Sequence, residues 1–165
     1  MEIHPARRVS FEEVCAAFRL DNPIGFGSSE WALNALEMAN KQFGTWMLRS
    51  LSLEDILGIM LPHHLHDGQE LVPKSCSSVS EAIEKLNSVP GSHSCSKRID
   101  ELSRTPPSPV FLSIAPIHHP DYWELRKRNY SGLTHLDGLH RLIAWGRAGK
   151  SGPAAYVAGS NVPSV

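Results

Sequence analysis

Leu136-Asp137-Gly138-Leu139-His140-Arg141-Leu142-Ile143-Ala144 decides how this chain is read, because it joins a segment suited to a strand, Leu133 to Leu136, to one suited to a helix, with glycine between them. Glycine lets the backbone turn sharply there, and a helix starting at Leu139 exposes the unpaired amides of its first turn. The helix dipole adds roughly +0.5 of an elementary charge at that end. His140 and Arg141 place side-chain donors beside those amides, so the turn suits an anion, and a phosphate above all. The competing account gives each residue an ordinary role, in which Asp137 caps the helix, His140 lies on the surface and Arg141 pairs with a carboxylate.

Working outward, the helix is expected over Leu139 to Arg147, with Gly149 as its stop and a last strand at Ala154 to Val157. Upstream, Pro106, Pro107 and Pro109 end a short helix over Lys97 to Ser103 and hand over to a strand at Val110 to Ile114. Pro120 to Asn129 is charged and reads as a short helix or an extended excursion. Ser78-Val79-Ser80-Glu81 is a capping box opening a helix with Ala82, Ile83 and Leu86, and Asn87 to Ser96 is a loop turning at Pro90-Gly91. Leu61 to Pro73 reads as a polar loop rich in histidine. Trp46 to Leu53 alternates loosely and reads as the first strand, after Gly44.

Two helices are expected before it. One follows the capping box Ser10-Phe11-Glu12-Glu13 and fades near Asp21-Asn22-Pro23; the other starts after Ser28 or Ser29, beyond a loop of Gly25, Gly27 and the two serines, and runs to about Asn40. The whole is an α+β fold, a small mixed β-sheet flanked by helices. Residues 1–45 form a helical N-terminal extension, 46–159 the main domain and 160–165 a disordered tail.

The composition narrows the function. In 165 residues, 16 Lys and Arg face 17 Asp and Glu, a net charge of −1, so no broad basic face favours nucleic acid. No apolar run approaches the roughly 20 residues that span a bilayer. Cys15, Cys76 and Cys95 are odd in number and without Cys-x-x-Cys spacing, which fits packing residues in a reducing cytoplasm. Trp31, Trp46 and Trp145 are expected in the core.

The turn, followed by Gly149 and Ala154-Ala155-Tyr156-Val157, resembles the signature of the ParB/sulfiredoxin-like superfamily over residues 46 to 159. It is most similar to that of the free serine kinases, where an Asp-Gly-x-His-Arg turn holds nucleotide phosphates and an upstream Glu activates the serine hydroxyl. Three departures bear on this. Leu139 stands where sulfiredoxins have cysteine, which removes their thiol chemistry. His140 replaces the first arginine of the box in chromosome-partitioning members, which add a helix-turn-helix domain, whereas this sequence ends soon after its expected last strand. Residues before position 46 have no counterpart.

The resemblance implies a nucleotide-dependent phosphotransferase acting on a small hydroxylated metabolite such as serine, with ATP or ADP and Mg2+. Gly138, Leu139, His140 and Arg141 would bind phosphate, with the two side chains offsetting charge on the transferred group. Asp137 would position Mg2+ or the acceptor, and Glu70, or Asp67 as its alternative, would accept the hydroxyl proton. Both carboxylates equally suit a solvated loop. A non-catalytic nucleotide-binding or regulatory protein is the first rival, and a metal-dependent or otherwise divergent enzyme reusing the pocket the second.

His63, His64 and His66 with His118 and His119 offer imidazoles to such a metal, but their spacing is no recognised metal box, and no metal ligand is assigned. Arg126, Lys127 and Arg128, behind Tyr122 and Trp123, can clamp a base or simply coat a surface helix.

Overall fold

The computed structural model describes residues 5–22 and 27–159, so Pro23, Gly25 and the segment 160–165 lie outside the described residues. The chain begins with a strand, β1 (Arg7–Val9), followed by α1 (Phe11–Asp21). Ser10 Oγ accepts the Glu13 N–H at 3.1 Å, as the capping motif predicts, whereas the Glu13 carboxylate turns to Arg7 at 3.2 Å. Helix α2 (Gly27–Phe43) starts before the two serines and runs past Asn40. Gly44 ends it at φ +74°, with its N–H on Asn40 O at 2.9 Å.

Trp46 to Leu53 is only partly a strand. β2 covers Trp46–Ser50, and Leu53 opens a short helix, α3 (Leu53–Gly58). The reason is a second capping box: Ser52 Oγ accepts the Asp55 N–H at 3.0 Å and Asp55 Oδ2 accepts the Ser52 N–H at 3.1 Å. Nor is β2 the first strand, since β1 precedes and pairs with it.

The expected histidine-rich loop is instead built of strands. β3 (Met60–Leu61) enters the main sheet, and β4 (His64–His66) and β5 (Gln69–Val72) form a separate antiparallel hairpin. Its turn is Asp67-Gly68, at φ +49° and +74°, the positive values that a primed two-residue turn requires. β6 (Ser77–Ser78) leads into α4 (Val79–Ser88), whose capping box is complete.

Helix α5 (Ser96–Arg104), β7 (Val110–Ser113), a 3-10 turn at Pro120–Tyr122 and α6 (Trp123–Lys127) follow. The chain then makes β8 (Thr134–Asp137), α7 (Leu139–Arg147) and β9 (Ala154–Ala158), close to the expected bounds.

Among the described residues, seven strands form one mixed sheet in the order β1-β2-β9-β7-β8-β3-β6. β9 runs parallel to β7 and antiparallel to β2, and β3 runs parallel to β8. Alternation along the central strands feeds two cores. Val110, Leu112, Ala155 and Val157 face one side, with Ile56 of α3, Val79 of α4, Ile99 of α5 and Leu142 of α7. Phe111, Leu136, Tyr156 and Ala158 face the other, with Phe18 of α1, Leu36 of α2 and Leu125 of α6. The protein is therefore α+β with a mixed sheet between two helical layers. Residues before position 46 supply an edge strand as well as two helices. Trp46 and Trp145 are buried as expected, but Trp31 is only partly covered. Among the described residues no helix is long and apolar enough to cross a membrane.

Candidate functional site

The turn between β8 and α7 has the form the sequence implies. Gly138 stands at φ +109°, ψ +27°, and a Cβ there would lie 2.5 Å from Val110 Cγ1. Glycine is required on both counts. The first intrahelical bond of this turn runs from Leu142 N–H to Gly138 O at 2.9 Å, so the amides of Leu139, His140 and Arg141 precede it and point out of the helix end.

These three residues line a cavity of about 610 Å³ whose wall also includes Asp21, Trp31, His64, Arg98, Asp121, Asp137 and Gly138. The cavity is assembled from the end of α1, from α2, from the start of the hairpin and from α5, so the N-terminal residues help to build it. Arg141 is fastened into the wall. Its guanidinium donates to Ser108 Oγ and Pro109 O at 2.7 Å each and to Asp137 Oδ2 at 3.1 Å, with Asp21 at 3.5 Å. The ordinary pairing with carboxylates is thus realised, and Arg141 also ties the turn to the segment before β7. Gly138, not Asp137, is the N-cap residue of α7. Burial raises its carboxyl above the usual range, partly opposed by Arg141.

His140 is held neutral. Burial, and then the neighbouring His64, push its pKa down to about 4, so at pH 7 its ring carries no charge to set against a phosphoryl group. His64 is likewise lowered, by burial first. The two rings meet edge to face, their centroids 4.9 Å apart.

The proposed bases lie elsewhere. Glu70 is on β5, exposed, with its carboxylate 3.3 Å from His63 Nε2, and Asp67 occupies the hairpin turn with 75% of its side chain exposed, 3.6 Å from His66. Neither lines the cavity. The carboxylates that do are Asp21, Asp121 and Asp137.

The histidines expected to converge do not. His119 accepts the Asp121 N–H and packs edge-on to Trp31, and the His118 N–H goes to Gln42. His64 instead joins His140 and Cys95, residues far apart in sequence, in a group whose donor atoms all lie within 4.8 Å of one another. No local spacing announces this trio. The basic cluster behaves as a surface helix: Lys127 pairs with Glu124 at 3.8 Å and Arg128 donates to Ser75 O at 2.8 Å.

One wall residue makes a separate prediction. His135 is fully buried, stacked on Trp31, and burial lowers its pKa to about 3. An unfolded histidine titrates near 6.5, so between those values the unfolded chain binds more protons and stability falls as pH drops. From pH 6.5 to 4.5 the protein is expected to lose about 2 to 3 kcal/mol more stability than a His135→Gln variant, at about 1.36 kcal/mol per unit. Urea melts of both proteins at the two pH values check this, and equal losses would refute it.

Neither the curated proteins nor the solved structures contain a match to the chain. Its whole length, residues 1–165, matches the family described as a family of unknown function, DUF6309, and the chain belongs to that family.

Proposed function

We propose that the cavity at the amino end of α7 binds the phosphates of a nucleotide, and that the protein is a nucleotide-dependent phosphotransferase acting on a small hydroxylated metabolite such as serine. One observation carries the reading: a turn that only glycine fits opens a helix whose first three residues line a cavity that also holds Arg98 and the partly buried carboxylate of Asp137. The resemblance of the turn to that of the free serine kinases supports the same chemistry.

In this reading the amides of Leu139 and His140, with Arg98 at the wall, take the phosphate oxygens. Asp137 replaces Glu70 as the base, because it lies on the cavity wall and its raised pKa improves it as a proton acceptor. The acceptor hydroxyl oxygen bonds to the terminal phosphorus, the bond to the leaving phosphate oxygen breaks, and the hydroxyl proton passes to Asp137. Asp21 and Asp121 supply hard oxygen donors suited to Mg2+, which would offset charge on the phosphates.

The test is incubation with ATP, ADP or CTP, Mg2+ and serine, followed by phosphorus NMR. Phosphoserine is expected, with Asp137→Asn lowering its rate at least about a hundredfold and leaving nucleotide affinity nearly unchanged. Nucleotide bound without turnover would leave a regulatory protein; no nucleotide bound would end the reading. If Glu70→Gln abolishes transfer and Asp137→Asn does not, the base is Glu70.

A further inference from the structure

The trio beside the turn has a chemistry that phosphate binding does not use. His64 comes from the hairpin strand β4, Cys95 from the residue preceding α5, and His140 from the first turn of α7. Their donor atoms lie within 4.8 Å of one another, and Cys95 Sγ is 3.5 Å from His64 Nε2. In a tetrahedral zinc site with Zn–S of about 2.3 Å and Zn–N of about 2.0–2.1 Å, a sulfur and a nitrogen stand about 3.6 Å apart. The observed spacing is that edge of the tetrahedron.

The position of Cys95 is fixed by several contacts outside the trio. The Ser94 N–H is accepted by Gln69 Oε1 at 2.5 Å and Ser94 Oγ donates to His66 O at 2.9 Å, which fasten the loop before α5 to the hairpin that carries His64. His93, itself 2% exposed, accepts the Cys95 N–H on Nδ1 at 3.0 Å. These bonds fix the backbone that carries Cys95 and bring its loop to the hairpin that carries His64. Cys95 is itself 3% exposed, while His64 and His140 face the cavity.

We propose that His64, Cys95 and His140 bind a zinc-class divalent ion at the cavity wall, through one thiolate and two imidazoles. Three protein ligands leave a fourth position open, the arrangement of catalytic rather than structural zinc. Because two of the three ligands line the cavity, that position faces its interior, where water or an anionic oxygen of a bound molecule completes the shell. Arg98 on the same wall complements such an oxygen. The ion would use the His140 imidazole and leave its backbone amide to the helix end, so the inference stands whether or not the protein transfers phosphate.

The test uses the full chain freed of metal with a chelator and then titrated with Co2+ and Zn2+. Expected are one Co2+ per chain, a thiolate-to-cobalt charge-transfer band with the intense visible absorption of tetrahedral cobalt, and displacement of both by Zn2+. Cys95→Ser should remove the charge-transfer band and weaken Zn2+ binding at least about a hundredfold, the upper end of what loss of a mere supporting contact costs. His64→Gln should weaken binding comparably while keeping the band at saturating cobalt. Thermal unfolding of each metal-free variant against the metal-free parent confirms that the fold persists; a variant that does not fold is replaced by Cys95→Ala or His64→Asn. Cobalt bound without the band, or zinc held equally well by Cys95→Ser, overturns the proposal, and so does the absence of binding at micromolar metal. Nucleotide binding measured on the metal-free protein separates this outcome from the fate of the phosphotransferase reading.

Discussion

Gly138→Ala is expected to destabilise the protein by about 3 kcal/mol. A non-glycine residue held at φ +109° carries strain of about 1–3 kcal/mol, and its methyl would press on Val110 Cγ1 at 2.5 Å, an overpacking that costs about 1–3 kcal/mol more. Val110 is fully buried and part of a central strand, so it has little room to yield. Adding Val110→Ala to the substitution should relieve the clash with Cγ1 but neither the 3.1 Å approach to Val110 Cβ nor the backbone strain, and so should not restore the stability of the Val110→Ala single variant. Chemical denaturation of the four proteins of this cycle measures both components. If Gly138→Ala costs less than about 0.5 kcal/mol, the turn is not held as described, and the helix-end amides lose their fixed aim.

The second large effect is Trp145→Ala. Trp145 is 1% exposed on α7, within the core shared with α3, α4 and α5, and deleting an indole of this kind costs about 3–5 kcal/mol. For a chain of this length that corresponds to a fall in Tm of roughly 6–20 °C. Trp123→Ala is the comparison: it removes the same side chain from α6, where 55% of it is exposed, and should stay within about 0.5 kcal/mol of the parent. Equal losses from both substitutions would show that α7 is not packed between the sheet and its neighbouring helices.

The β8-α7 turn, Gly149 and the capping box of Ser78 and Glu81 were legible because each is local: a glycine where φ is positive, and a serine three residues ahead of an acid, act over a few bonds. The same local rules identify features that the alternation reading passed over. Ser52-Leu53-Glu54-Asp55 is a capping box, and it starts α3 where a continuing strand was expected. Asp67-Gly68 is a hairpin dipeptide, and it makes strands of a segment read as a loop because of its histidines. Glu70 and Asp67 entered the site only through the resemblance to the serine kinases, and the hairpin holds both carboxylates outside the cavity.

What no local rule reaches is convergence. Cys95 read as a packing residue and is buried as one, yet it meets His64 and His140 only because two hydrogen bonds from Ser94 fasten its loop to the hairpin. In the same way, Asp21 comes to the cavity only through the packing of α1, whose residues had no assigned place.

The place of β9 in the sheet has a consequence for how the molecule is made. β1 and β2, from the first fifty residues, reach every other strand through residues 154–158 alone. While the ribosome is still translating, the amino-terminal strand pair has no further strand to join until β9, more than a hundred residues after β2, although α1 and α2 can pack earlier against Phe111 and Leu136. Pairings so distant form slowly and leave an intermediate open to aggregation.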